Sequence, residues 1–308
     1  MKVVVTGARG FVGQALMPSL ARAGWEAEGV GRQVLGSIGP ETDWTPHLVG
    51  ATAVVHLAGM VHVMHEPTPA EIADFARVNT EGTEKLAYDA AGAGVKRLLY
   101  LSTSKVMGDL DSMRPLTEED PPDPQGPYSH SKLEAEIRLR AISRETGLEC
   151  VILRPPLVYG PGVKGNLLSL LRLCERPLPL PFKSVDNRRS LISIHNLSDA
   201  IVHSLSHPSA AGLTAFVKDA SDLSTSDLVS HLRRGMDMPA RLVPIPSSVL
   251  SAGLKVAGRR EMAIRLLGSF RLDDSLFRNT VDWSPPQFAD EGLAQMARWF
   301  SGRDRAVA

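Results

Sequence analysis

Cysteine is nearly missing: the 308-residue chain has two, Cys150 and Cys174, too few for a disulfide framework. Net charge is missing too, since 34 Lys and Arg balance 34 Asp and Glu. Neither nucleic acid nor an anionic membrane surface is therefore expected as a partner. No uncharged apolar stretch is long enough to span a bilayer, so no membrane insertion is expected. A charged-then-apolar leader is lacking because a strand begins at Lys2, and a cytoplasmic protein is expected. No internal repeat or low-complexity segment interrupts the chain. What is present, 43% hydrophobic and 22% charged residues, is ordinary for a globular protein of one or two domains. Cys150, inside the apolar run Glu149-Cys150-Val151-Ile152-Leu153, is expected to pack as a small hydrophobe.

The most informative stretch comes first. Lys2-Val3-Val4-Val5-Thr6 reads as a buried parallel strand and breaks into Gly7-Ala8-Arg9-Gly10-Phe11-Val12-Gly13. The glycines follow the pattern G-x-x-G-x-x-G. Gly7 permits a tight turn, Gly10 a close approach to a pyrophosphate, and Gly13 the packing of the next helix on the strand. That helix, Phe11 to Ala23, points free N–H groups and its positive dipole end at the phosphate. A dinucleotide site is the reading that fits this setting.

The second strand ends at Gly31-Arg32, where dinucleotide folds carry an acid for the adenosine ribose. A cation without the acid suits a 2′-phosphate, so NADP(H) is favoured and NAD(H) kept as the alternative; a solvated Arg32 is the plain reading. Val34 to Gly50 is turn-rich. Ala51 to Gly59 is the next strand, and the small residues at its end, Leu57-Ala58-Gly59, leave room for a dinucleotide. His56, His62 and His65 match no metal-pair spacing and read as structural, so no metal is expected. Pro69 to Ala93 reads as a helix carrying Asn79. Val95 to Leu101 is a strand that runs into Ser102-Thr103-Ser104, hydroxyls at the end of a parallel strand where such folds place chemistry. Asp109 to Pro127 is an acidic, Pro-rich loop. Tyr128 and Lys132, at i and i+4 in the following helix, share one face. Past Cys150 to Arg154 and Pro155 to Gly162 the strand–helix alternation weakens. The expected fold is α/β: a Rossmann-like doubly wound parallel sheet over residues 1–162, joined by part of 187–220. A smaller α+β substrate-binding region is expected from 163–186 and 221–308.

Four stretches in this order resemble the extended short-chain dehydrogenase/reductases, the sugar-nucleotide epimerase/dehydratase group. They are Thr6 to Gly13, Val55-His56-Leu57-Ala58-Gly59, Leu101-Ser102-Thr103-Ser104, and Tyr128-Ser129-His130-Ser131-Lys132. Arg154 to Gly162 and Asp282-Trp283-Ser284-Pro285-Pro286, followed by Glu291-Gly292-Leu293, look like the family's later landmarks. The resemblance implies Tyr128 as acid/base, Lys132 lowering its pKa and holding the nicotinamide ribose, and Thr103 bonding the same substrate oxygen, with Ser102 and Ser104 beside it as the alternatives. It implies cofactor contacts from Gly7, Arg9, Gly10, Phe11, Val12, Gly13, Arg32, Leu57, Ala58, Gly59, Asn79, Tyr128, Lys132 and Pro155. It implies substrate contacts from Ser104, Asn166 and Arg189, the last gripping a diphosphate with its guanidinium. Arg188 is the alternative at that place. A homodimer through the helices around 79–93 and 129–144 is implied as well.

Departures narrow the activity. The 4,6-dehydratases carry an Asp-Glu pair after their threonine; here Ser104-Lys105 follows Thr103, so dehydration is not expected. Met107 takes the place of a family tyrosine and reads as packing. The wording around Lys105 and Pro155 to Lys164 resembles a bacterial subgroup that reduces UDP-linked 4-keto-6-deoxy-N-acetylhexosamines for O-antigen and other surface polysaccharides. An NADPH-dependent 4-ketoreductase of a UDP-2-acetamido-2,6-dideoxy-4-ketohexose comes first on this ground. A UDP-hexose 4-epimerase (UDP-glucose or UDP-N-acetylglucosamine) is the alternative, and a non-catalytic dinucleotide-binding protein a third.

Overall fold

Short runs of aliphatic residues become strands in the computed structural model, which describes residues 1–61, 67–108 and 114–302. The strands are β1 (Lys2–Thr6), β2 (Glu26–Val30), β3 (Ala53–His56), β4 (Arg97–Leu101), β5 (Glu149–Arg154), β6 (Leu157–Tyr159), β7 (Leu191–Ser193) and β8 (Thr214–Phe216). Six form a parallel sheet in the order β2-β1-β3-β4-β5-β8, and β6 pairs with β7 in a separate parallel ribbon.

Alternate residues of each strand feed opposite cores. Val3 and Val5 face the helices Phe11–Arg22 and Ile194–Ser206, meeting Leu16, Leu20, Leu197 and Ile201. Val4 faces the other way, toward Leu86, Ala90, Leu139 and Ile142 of the helices Gly82–Gly92 and Gly126–Thr146. Helices on both faces explain why the strands read as continuous apolar runs rather than alternating ones. Each fully buried valine contributes about 1.5–3 kcal/mol. The chain order reverses at β1, with β2 on one side and β3 on the other. The crevice beyond the carboxyl ends of β1 and β3 is thus the place such sheets offer to a ligand.

The second half contributes to both layers. Residues of Gly165–Glu175, Thr225–Gly235 and Ala289–Phe300 build a third core around Leu171, Cys174, Leu232 and Met296. Phe277, Val281 and Trp283 return to the core under the sheet. Cys150 and Cys174 are both buried and unpaired.

Two segments differ in detail from their sequence reading. Residues 32 to 50 hold two four-residue helices, Arg32–Leu35 and Thr45–Leu48, and β2 is the sheet edge. The helix read over 69–93 has three parts, Pro69–Phe75, a π-helical turn Ala76–Glu81, and Gly82–Gly92. Such π-turns mark functional places in helices, and this one carries Asn79. His62, His65 and the first part of the 109–127 loop lie outside the described residues.

Candidate active site

The glycine loop is shaped by its backbone. Gly7 sits at φ +70°, and a Cβ there would come within 2.8 Å of the Ala58 nitrogen. The Gly10 amide donates to the Gly7 carbonyl at 2.9 Å. Gly10 caps the helix Phe11–Arg22 without a side-chain bond, and the first turn carries no acid. A cleft of about 270 Å³ opens there, lined by Gly7 to Gly10 and by Gly29 to Val34. Backbone with no side chains in the way, at a helix's positive end, fits a dinucleotide diphosphate. At the far side of the cleft Arg9 bonds to Gln33, and Arg32 stands exposed beside Gly31. Gly31 has open space around it, and its φ of −153° is one that any residue adopts.

The catalytic helix, Gly126–Thr146, brings the other residues in. Tyr128 hydrogen-bonds Thr103, which caps the 3₁₀ turn Ser104–Met107 and accepts from the Lys105 amide at 3.3 Å. The Ser102 and Ser104 amides donate to the Leu153 and Pro155 carbonyls at 2.8 and 2.9 Å, which fixes the Thr103 segment against the end of β5. Ser104 itself is buried. Lys132 is buried; its ammonium donates to the Leu101 carbonyl at 2.8 Å and lies 4.2 Å over the Tyr100 ring. A Cβ added at Gly59 would meet Asn79 Oδ1 at 2.8 Å and Lys132 Nζ at 4.0 Å, so these three are brought together.

Asn79 makes three amide hydrogen bonds to the protein. Oδ1 accepts from Met60 N (2.7 Å), and Nδ2 donates to Met60 O and to Ser131 Oγ, both at 3.0 Å. It clamps the Gly59–Met60 chain to the catalytic helix, a positioning task.

The pKa pattern departs from the sequence reading. Burial pushes the Tyr128 phenol up to about 12, with the Thr103 bond opposing it, and no lowering by Lys132 registers. Burial pushes Lys132 down to about 7, with Glu136 opposing. Desolvation outweighs the ammonium's attraction because both groups sit in the same poorly hydrated wall. The phenol therefore holds its proton at neutral pH, and Lys132 titrates near neutrality.

Several positioning groups escaped the sequence reading. Glu136, fully buried, accepts from Ser102 Oγ at 2.5 Å and from Arg154 Nη2 at 2.6 Å. Its i+4 spacing from Lys132, itself i+4 from Tyr128, was the signal available. Met107, read as packing, is buried with its sulfur 3.4 Å from Arg154 Nη1.

His56 is the other. Thr83 Oγ1 donates to the Asn79 carbonyl (2.6 Å), so His56 Nε2 must donate to Thr83 (2.9 Å), and Nδ1 accepts from Thr6 Oγ1 (2.7 Å). The Thr6 oxygen in turn accepts from the Ala58 amide at 3.1 Å, which ties the end of β3 to the glycine loop. Burial, helped by the Lys132 charge, pushes the imidazole down to about 3 from its ordinary 6.5. The unfolded chain takes up this proton first, so stability falls as pH drops through that window, by about 1.4 kcal/mol per unit. Urea titrations near pH ~7 and ~5 should therefore differ by about 2 kcal/mol more in the wild type than in His56→Gln. An equal difference in both would show that His56 titrates normally.

The expected diphosphate residues make protein contacts around the helix Arg260–Leu267 and the turn after it. Arg189 donates to the Gly268 carbonyl at 3.0 Å, past the helix Arg260–Leu267. Asn166 is exposed, and its Oδ1 accepts from Arg265 of the same helix at 3.4 Å. Arg188 is exposed and pairs with Asp186 at 3.2 Å.

Residues 3–216 match the family described as the NAD dependent epimerase/dehydratase family. A UDP-glucose 4-epimerase of Vibrio cholerae is 37% identical over 97% of this chain and 95% of its own length. Among solved structures, the UDP-N-acetylglucosamine 4-epimerase of Bacillus cereus superposes with a TM-score of 0.80 over 98% of this chain and 100% of that one, at 19% identity. RMD from Pseudomonas aeruginosa, complexed with NADPH, gives a TM-score of 0.74 at 24% identity, covering 97% of this chain and 99% of that one. At those identities the two structures speak to the fold.

Proposed function

The chain belongs to the NAD-dependent epimerase/dehydratase family, and from that premise we propose that it interconverts the C4 epimers of a UDP-hexose. The observation that carries this is the 37% identity to a UDP-glucose 4-epimerase along 97% of the chain, with Thr103, Tyr128 and Lys132 gathered at one strand end. The subgroup wording put a 4-ketoreductase first; similarity along nearly the whole chain favours the epimerase.

When bound, a nicotinamide dinucleotide supplies the hydride exchange at sugar C4. Gly7, Gly10, Phe11, Val12 and Gly13 would hold its diphosphate, Arg9 and Arg32 its adenosine end, and Lys132 its nicotinamide ribose. Leu57, Ala58, Gly59 and Pro155 would line its path. Tyr128 carries the proton: the phenolate takes it from the C4 hydroxyl, and the phenol returns it to the ketone oxygen. Thr103 bonds the same oxygen, and its bond to the phenol opposes the rise that burial gives the Tyr128 pKa. Ser104, Asn166 and Arg189 would contact the sugar nucleotide. The exposed Tyr88 and Ile137 lie on the two helices through which a homodimer would form.

One observation favours the second reading, an NADPH-dependent 4-ketoreductase serving surface-polysaccharide synthesis. The adenosine end of the cleft has two arginines, Arg9 and Arg32, and no acid at Gly31. Purification separates the two. An epimerase should come off the column with NAD bound and convert UDP-glucose to UDP-galactose without added cofactor. A cofactor-free protein that oxidises NADPH only with a UDP-4-keto sugar would overturn the first reading.

Cofactor preference is testable apart from the reaction. Arg32→Ala should weaken NADP(H) binding by roughly tenfold or more, the equivalent of ~1.4 kcal/mol, and leave NAD(H) nearly unchanged. Gly31→Asp should shift preference toward NAD(H), since the side chain has space there. Calorimetry with both dinucleotides checks this; equal losses for both would remove Arg32 from the 2′ position.

A further inference from the structure

The balanced charge of the chain hides a segregated segment. Between Arg241 and Arg260 there is no acidic residue, while Lys255, Arg259 and both ends are basic. Half of the segment is the helix Ser247–Val256, which buries none of its residues. It turns back into Arg260–Leu267, and Leu250, Leu266 and Leu267 lean on the third core. The outer face of the first helix carries Val249 and Val256, at i and i+7, which are 58% and 91% exposed. Lys255, Arg259 and Arg260 stand exposed around its end, and none forms an ion pair among the described residues.

An apolar ridge collared by unpaired cations is what an amphipathic element presents to an anionic lipid surface. A second copy fits less well. A two-fold contact through the same patch would bring two copies of the basic collar together, and such like-charge proximity is unfavourable. No described helix is long and apolar enough to cross a membrane, so the contact would be peripheral. We propose that this helical hairpin docks the protein reversibly on anionic phospholipid, Val249 and Val256 entering the headgroup layer and Lys255, Arg259 and Arg260 meeting lipid phosphates. This stands apart from the choice between epimerase and reductase, and it revises the expectation drawn from net charge alone.

The test is sedimentation of the full chain with vesicles of phosphatidylglycerol and phosphatidylethanolamine, and with phosphatidylcholine vesicles. The protein should pellet with the first, less as salt is raised, and stay in solution with the second. Lys255→Gln, Arg259→Gln and Arg260→Gln should each weaken binding roughly fivefold. Val256→Asp should abolish it. All four side chains are exposed, so the unfolding midpoint and turnover of soluble substrate should stay at wild-type values. Failure to pellet with anionic vesicles, equal pelleting with phosphatidylcholine, or full binding by the variants would overturn the proposal. Lipid-independent self-association lost in Val256→Asp would overturn it too, giving the face to a second copy.

Discussion

Tyr128→Phe is expected to cut turnover by roughly 10²–10⁴-fold, the span seen when general acid/base catalysis is removed. The change deletes one oxygen. The ring keeps its edge contact with Phe75, at a centroid distance of 6.2 Å, and Thr103 keeps the Lys105 amide as a donor. Neither the glycine loop nor the Gly31–Arg32 end of the cleft touches the lost atom, so dinucleotide affinity should be nearly unchanged. The direction that draws a proton from a hydroxyl needs the phenolate. With the phenol at about 12, its rate should rise as pH is raised, and the variant should lose that rise. Steady-state rates on UDP-glucose across pH, paired with a fluorescence titration of the dinucleotide, measure both. Wild-type turnover in Tyr128→Phe would remove Tyr128 from the chemistry.

What the chain discloses by itself depends on sequence distance. The strand Lys2–Thr6, the glycine loop and the Tyr128–Lys132 pair are local patterns, and the parallel sheet follows from the apolar runs they interrupt. The groups that hold these residues in place are not local. His56 reaches Thr83 across 27 positions, Ser102 reaches Glu136 across 34, and Asn79 reaches Ser131 across 52. Such pairings are decided by strand order, which no window of the sequence contains. The pKa pattern was hidden for the same reason: Tyr128 and Lys132 are four residues apart in any helix, but the Tyr100 and Leu101 wall that desolvates Lys132 comes from β4. Arg189 combines the two: its motif suggests a phosphate grip, and the fold adds a bond from its guanidinium to the Gly268 carbonyl, 79 positions away.

The Glu136–Arg154 pair is where packing and chemistry meet, and Glu136→Ala should be the most destabilising single change near the site. Arg154 is 3% exposed, and Nε and Nη2 reach the Glu136 carboxylate at 2.6 to 3.2 Å. Met107 and the face of Phe216 pack against it without charge, and Glu118, held on the Phe216 amide, is the other acid that feels its charge. Removing the carboxylate strands a buried guanidinium and frees Ser102, which should cost about 3–5 kcal/mol. Glu136→Gln keeps the shape and should lose less. Because the Glu136 charge opposes the fall in the Lys132 pKa, neutralising it should drive that value below about 7. The ammonium would then be lost at lower pH, and the limb of the rate profile that follows Lys132 should move to lower pH in Glu136→Gln. The double change Glu136→Met with Arg154→Met removes both charges together and should restore much of the stability, while the rate profile stays shifted. Denaturant titrations of the three variants, with pH–rate curves for those that fold, test this. A loss within about 0.5 kcal/mol in Glu136→Ala, the range of ordinary surface changes, would mean that Arg154 is not held by this carboxylate.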